Sequence, residues 1–224
     1  MSVIQEISSS GPASHRRLER LGRPLTLAAL AALGVLGVAA LGWLGSRHSF
    51  GYFTRDPAAT TDQAPYLGMV SFFGLFGWAA GATALVCGGY VASLRGALDR
   101  RNALFVTAAA VVYLLFDDAF QFHEYVYPQY LHLPDDVVEL GYALVTVLVV
   151  VNGRRFLAST NFRLLVAAGV FFAISIGLDV VVESDRAIAL EDGSKLLGIF
   201  VLVAYCVDTA LAESRRTFGE LARR

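Results

Sequence analysis

Long apolar runs recur along the chain and constrain its fold more than any other feature of the sequence. A transmembrane α-helix needs about 20 consecutive, mainly apolar residues to cross a hydrocarbon core of about 30 Å. Backbone polar groups in lipid must bond within the chain, so runs of this length predict helices. The sequence predicts six spans, each with ends defined to within a few residues: 25–44, 66–94, 103–125, 137–151, 162–182 and 187–211.

Lysine and arginine residues lie mainly on one side of this predicted topology. Of the 18 such residues, 14 precede the first span or follow the second, fourth and sixth spans. Loops rich in Lys and Arg stay in the cytoplasm, so both termini are predicted to be cytoplasmic. The sequence therefore predicts an all-α polytopic membrane protein, a six-helix transmembrane bundle in a bacterial plasma membrane. Its parts are a basic cytoplasmic tail (1–24), the transmembrane domain (25–212) and a C-terminal cytoplasmic tail (213–224).

Acidic residues lie mainly on the opposite, outer side, and one stretch brings them into a predicted span. Residues 111–136 read VVYLLFDDAFQFHEYVYPQYLHLPDD. If the third span begins at Ala103, a rise of 1.5 Å per residue places Asp117 about 21 Å into the membrane, roughly 9 Å from the outer boundary. A carboxylate at that depth costs a few kcal/mol, so Asp117 is expected to face the bundle interior rather than lipid.

Several polar residues of this stretch are predicted to share the face of Asp117. At 100° per residue, Gln121 and Glu124 fall within about 60° of Asp117, and Asp118 flanks this stripe. His123 is predicted to point away from it. Two roles are open for His123: a place among the tyrosines of an interfacial aromatic belt, or a ligand in the polar site.

Two further predicted spans bring acids to a similar depth. Asp179 and Glu183 are four residues apart near the outer end of the fifth span, so they share a helix face. In the sixth span, Glu191 and Asp192 stand four and three residues before Lys195. Lys195 either neutralises these acids as a structural ion pair or acts as a functional base or gate. Together the three helices predict one shared polar pocket that opens outward.

Glu139 is a further candidate for lining this pocket. It follows Asp136 by three residues in the segment LPDDVVEL, a spacing typical of a capping box at a helix N-terminus. Two roles are therefore open for Glu139: it caps the N-terminus of the fourth span, or it faces the pocket.

The second predicted span contains the segment GWAAG, in which Gly77 and Gly81 are four residues apart. Small residues at this spacing allow two helices to approach closely. The motif predicts helix packing within the chain, with a contact between two copies as the alternative.

Standard catalytic motifs are absent from the sequence, including HExxH, GxSxG and a phosphate-binding glycine loop. Cys87 and Cys206 fall within predicted spans, which favours a packing role over a disulfide or a metal site. No basic patch typical of nucleic-acid binding is present, so no nucleic-acid partner is predicted. What remains is a cluster of carboxylates with one or two imidazoles, which suits hard divalent cations or mixed oxygen and nitrogen ligation of a transition metal.

The outer pocket is therefore predicted to bind a divalent metal ion or another cation, with zinc, iron, manganese and calcium as candidates. The residues predicted to bind the metal are Asp117, Glu124, Asp179, Glu183 and Glu191; those predicted to line the pocket are Asp118, Gln121, His123, Glu139, Asp192 and Lys195. Two other functions stay open: a membrane-embedded metalloenzyme acting on a lipid or quinone, and a non-catalytic subunit of a larger membrane complex. The predicted partners are membrane lipids and, in a homo-oligomer or a complex, other membrane proteins.

Overall fold

The computed structural model of the chain describes residues 12–49, 51–55, 57–64, 66–181 and 185–223. These residues are mainly helical and contain no β-strand, which confirms the all-α prediction. Glu183 lies outside the described residues, and so do the side chains of Glu139 and Asp179. The chain divides into two compact units, Met1–Leu67 and Gly68–Arg224.

The described residues of the first unit form one long helix and two single-turn helices. They are α1 (Pro12–Leu44), α2 (Gly51–Thr54) and α3 (Pro57–Thr60). Gly42 of α1 lies against the ring of Phe53, and a Cβ at this position would come 3.1 Å from Phe53 Cε1. The small residue therefore lets α2 pack closely on the end of α1.

The second unit carries the remaining helices. Its elements are α4 (Met69–Leu94), α5 (Leu98–Phe120), a π-helical segment (Phe122–Val126), α6 (Tyr127–Leu131), α7 (Asp135–Leu157), α8 (Phe162–Val181) and α9 (Asp185–Leu221). α4 packs against both α5 and α9, and α8 packs against α9. α7 contacts α5, α6 and the π-helical segment. Arg95, at the C-terminal end of α4, pairs with Glu213 near the C-terminal end of α9, so α4 and α9 run in the same direction. Asp118, near the C-terminal end of α5, pairs with Lys195 near the start of α9, so α5 runs in the opposite direction.

A face of glycine residues brings α4 close to α9. A Cβ on Gly77 would lie 2.6 Å from Ile199 Cγ2, and one on Gly81 would lie 3.5 Å from Cys206 Sγ. Ile199 and Cys206 are themselves buried. The GWAAG segment thus packs two helices of the same chain, which confirms the intramolecular interpretation. Cys87 and Cys206 are both free cysteines.

Three helices of the described chain are long and apolar enough to cross a membrane: Met69–Leu94, Leu98–Phe120 and Ile188–Glu220. They correspond to the second, third and sixth predicted spans. The first and fifth predicted spans correspond to shorter apolar segments, Ala28–Leu44 and Phe162–Leu178. The fourth lies within α7, which begins one residue before the predicted N-cap Asp136 because Pro134 occupies the N-cap position.

Ion pairs form at both ends of the second unit. Where α4 ends and α5 begins, Arg95 and Arg100 pair with Glu213, which lies near the end of α9. At the other end, Asp118 of α5 pairs with Lys195, which lies near the start of α9. The arginines that follow the second predicted span therefore lie beside the end of the sixth, as the sequence predicts.

Candidate functional site

α5 ends at Phe120, and the chain then changes direction within one residue. Gln121 has φ 51° and ψ 48°, which is the left-handed region and uncommon for a residue other than glycine. Phe122–Val126 follow as a single π-helical turn, an element often found at functional sites. The third predicted span is therefore not continuous to residue 125, and the prediction that His123 points away from Asp117 is wrong.

The turn places His123 directly on Asp117, which is 5% exposed. The His123 Nδ1 atom lies 2.6 Å from Asp117 Oδ2. The backbone N–H of His123 donates to Asp117 Oδ1 at 3.1 Å, and the hydroxyl of Tyr142 donates to the same oxygen at 2.8 Å. Three donors thus satisfy the buried carboxylate, and two of them come from the same histidine.

The other side of the His123 ring faces a second carboxylate. His123 Nε2 lies 3.3 Å from Glu124 Oε1, and Gln121 Nε2 donates to Glu124 Oε2 at 3.2 Å. The hydrogen bond to Asp117, with a further one to Glu124, raises the pKa of His123 to about 9 although burial opposes the charge. The hydrogen bond from His123 in turn lowers the pKa of Glu124. The imidazole is therefore charged at neutral pH and bridges the two acids.

A chain of tyrosine hydroxyls extends the contacts of Asp117. The Tyr113 hydroxyl lies 2.8 Å from that of Tyr142 and 2.7 Å from that of Tyr127. The hydrogen bond with Tyr113 raises the pKa of Tyr127 to about 12. Sequence reasoning missed these residues, although Tyr113 stands four residues before Asp117 and so shares its helix face. Tyr142 lies on another helix, and no sequence pattern points to it.

Asp118 forms a separate cluster beside Asp117. Its carboxylate pairs with Lys195 at 2.5 Å and accepts a hydrogen bond from Trp78 Nε1 at 3.2 Å. Trp78 stacks on Phe172 with ring centres 5.8 Å apart, which fixes the indole. A cavity of about 30 Å³, enough for a water molecule, adjoins this cluster and is lined by Val70, Ser71, Gly74, Asp118, Asp192, Lys195, Leu196 and Ile199. The ion-pair partner of Lys195 is thus Asp118, whereas the sequence suggested Glu191 and Asp192.

The structure brings together most of the described residues that the sequence singles out. They fall into the His123 cluster (Asp117, Gln121, His123, Glu124) and the Lys195 cluster (Asp118, Asp192, Lys195). Glu191 is half-buried on α9, one turn before Lys195. For Glu139, Asp179 and Glu183, the prediction concerns side chains outside the described part of the chain.

Metal-ligating side chains do not form a group of three or more within the described residues. Two of them, however, have suitable spacing. Ligands bound tetrahedrally at about 2.0–2.1 Å from zinc lie roughly 3.3–3.4 Å apart, and His123 Nε2 and Glu124 Oε1 are 3.3 Å apart. Asp117 holds the far nitrogen of the ring, as outer-shell carboxylates do in metal sites.

Residues 26–209 match the family described as "Domain of unknown function (DUF8692)". No curated protein and no solved structure matches the chain.

Proposed function

The chain belongs to the DUF8692 family, and we propose that it is an integral membrane protein that binds a divalent metal ion at the His123–Glu124 pair. The observation that carries this proposal is the position of the His123 ring between two carboxylates. Its Nδ1 is held by buried Asp117, so its Nε2 is aimed at Glu124. His123 and Glu124 would hold the metal ion, which would take the place of the proton on the imidazole, and Asp117 would orient the ring.

The ligand types select the class of metal. An imidazole nitrogen beside a carboxylate oxygen suits zinc, iron or manganese, whereas calcium prefers oxygen ligands alone. Two protein ligands leave positions for water or for further acids. Asp179, Glu183 and Glu191 are the acids that the sequence predicts for this purpose. Glu124 is half-exposed, which gives a metal ion access to the pair.

The same proposal includes the finer topology. We propose six spans, both termini in the cytoplasm of a bacterial cell and the His123 end of the bundle facing outward. The arginines gathered around Glu213 support this orientation, because basic residues favour the cytoplasmic side.

The test is elemental analysis of the purified full-length protein, compared with His123→Gln and Glu124→Gln variants. Asp99→Asn is the matched control, since Asp99 is an exposed acid in the first turn of α5, at the end of that helix away from the His123 cluster. We expect one zinc, iron or manganese ion per chain in wild type and control, and its loss in both site variants. A folded wild-type protein that holds no metal, and takes up none when zinc, iron(II) or manganese(II) is added, would overturn the proposal.

A further inference from the structure

A buried carboxylate organises the end of the bundle opposite the His123 cluster. Glu213 of α9 is 0% exposed. Arg95 and Arg216 lie 2.6 Å and 2.9 Å from its oxygens, and Arg100 Nε donates at 2.6 Å. Because a buried charge must be paired, Glu213 holds three guanidinium groups in fixed positions around the end of α9.

This arrangement leaves an excess of positive charge. Glu220 adds one more carboxylate, which pairs with Arg95 at 3.1 Å. The side chains of Arg215 and Arg223 have no hydrogen bond or ion pair to any other residue that the structure describes. The group, here called the arginine face, therefore has five arginines against two glutamates: Arg95, Arg100, Arg215, Arg216 and Arg223 against Glu213 and Glu220.

A concave space of about 350 Å³ lies on the arginine face. It is lined by Arg215, Arg216, Gly219, Glu220 and Arg223. Its volume is within the range of small-molecule pockets. The planar guanidinium fork suits paired hydrogen bonds to phosphate oxygens, so the unpaired arginines favour a phosphate as occupant.

Exposed apolar side chains border the arginine face. Leu211 and Phe218 of α9 are 47% and 70% exposed, and Leu94, at the end of α4, is 66% exposed. The face also lies at the end of helices that are apolar enough to span a membrane. An occupant therefore meets positive charge and apolar surface together, which is the chemistry of a lipid and not of a free anion.

We propose that the arginine face binds the phosphate of an anionic phospholipid. The phosphate contacts Arg215 and Arg223, and the acyl chains lie along the exposed apolar residues of α4 and α9. Glu213 positions the neighbouring arginines and does not contact the lipid. This inference does not depend on the proposed metal site, which lies at the other end of the bundle.

The experiment is native mass spectrometry of the full-length protein, extracted in detergent and mixed with phosphatidylglycerol or phosphatidylcholine. We expect wild type to retain phosphatidylglycerol at least tenfold more than phosphatidylcholine. An Arg215→Gln/Arg223→Gln double variant should lose this preference. The matched control is Arg154→Gln/Arg155→Gln, which removes the same charge from two exposed arginines at the end of α7. Thermal unfolding of each variant verifies that it is folded.

Three results would overturn the proposal. The first is equal retention of the two lipids by wild type. The second is an unchanged preference in the Arg215→Gln/Arg223→Gln variant, or its equal loss in the control. The third is displacement of phosphatidylglycerol by millimolar inorganic phosphate, which would assign the face to a free anion.

Discussion

His123 takes its charge from the two carboxylates that hold its ring. A lone histidine at the end of an apolar helix is mostly neutral at pH 7, because its ordinary pKa is about 6.5. Here Asp117 occupies one ring nitrogen and Glu124 faces the other. The folded protein therefore binds a proton on this ring more tightly than the unfolded chain does.

The metal-free protein should lose stability as the pH rises from about 6.5 to about 9. The pKa of His123 is raised to about 9 in the folded state, so its stabilising effect is complete below about 6.5 and disappears as the pH passes through about 9. The measurement is the midpoint of thermal unfolding in detergent with a chelator present. His123→Gln should lack this decline, and a wild-type midpoint that stays constant over the window would contradict the prediction.

Asp117→Asn should weaken metal binding about 10–100-fold, the usual cost of losing an outer-shell carboxylate. The amide keeps the size of the side chain and still accepts the Tyr142 hydrogen bond, but it no longer carries the charge that holds His123 Nδ1. Zinc titration of chelator-treated protein measures the affinity. Asp99→Asn should bind zinc like wild type, and an unchanged affinity in Asp117→Asn would show that Asp117 does not orient the ligand.

At the scale of helices, the glycine face of α4 sets how closely α9 approaches. Gly77→Ala should destabilise the protein by about 1–3 kcal/mol, the range for overpacking a tight core. The new Cβ would lie 2.6 Å from Ile199 Cγ2, and a buried, β-branched isoleucine in a helix has little freedom to move. Unfolding in denaturant gives the free-energy change.

Two further variants test the cause of this change. Gly169→Ala places the same methyl group on α8, where no atom lies within 4 Å, so it should be neutral or slightly stabilising. Gly77→Ala should also be tested in an Ile199→Ala background, which removes the Cγ2 atom that the new Cβ would contact. In that background it should destabilise the protein less than it does in wild type. Equal effects of Gly77→Ala and Gly169→Ala would contradict a role for close packing.

The helices were predictable from the sequence, but the ends that shape the site were not. Apolar runs over residues 66–94 and 103–125 directly reflect burial in an apolar medium, so length and composition identify these helices, although α5 itself ends at Phe120. The left-handed Gln121 has no comparable signal, because glutamine is an ordinary helix residue. Since a continuous helix turns His123 away from Asp117, this one residue changes the predicted site.

The sequence did not indicate which residue of another helix pairs with Lys195. Glu191 and Asp192 looked like the partners of Lys195 because they lie within one turn of it. The ion pair with Asp118 depends instead on how α5 and α9 each pack against α4, and periodicity gives no information on those rotations. Glu213 shows the same limit, since Arg216 is three residues away on α9 but Arg95 and Arg100 lie at the end of α4 and the start of α5.

At the scale of the whole molecule, charge separates along the bundle, and this separation predicts its orientation. The arginine face lies at one end, and the Asp117–His123–Glu124 cluster lies at the other. Insertion keeps basic segments on the cytoplasmic side. We therefore expect α6, which contacts the π-helical segment, to be outside and the end of α9 to be inside.

Single cysteines test this orientation in a background with Cys87→Ser and Cys206→Ala. Tyr130→Cys on α6 and Phe218→Cys on α9 replace side chains that are 68% and 70% exposed, so neither change disturbs the core. A membrane-impermeant maleimide should label Tyr130→Cys in intact cells, and label Phe218→Cys only after permeabilisation. Reversed labelling would place the arginine face outside, against the charge rule. Labelling of both positions in intact cells would mean that they lie on the same side of the membrane, which the direction of the helices in the bundle does not allow.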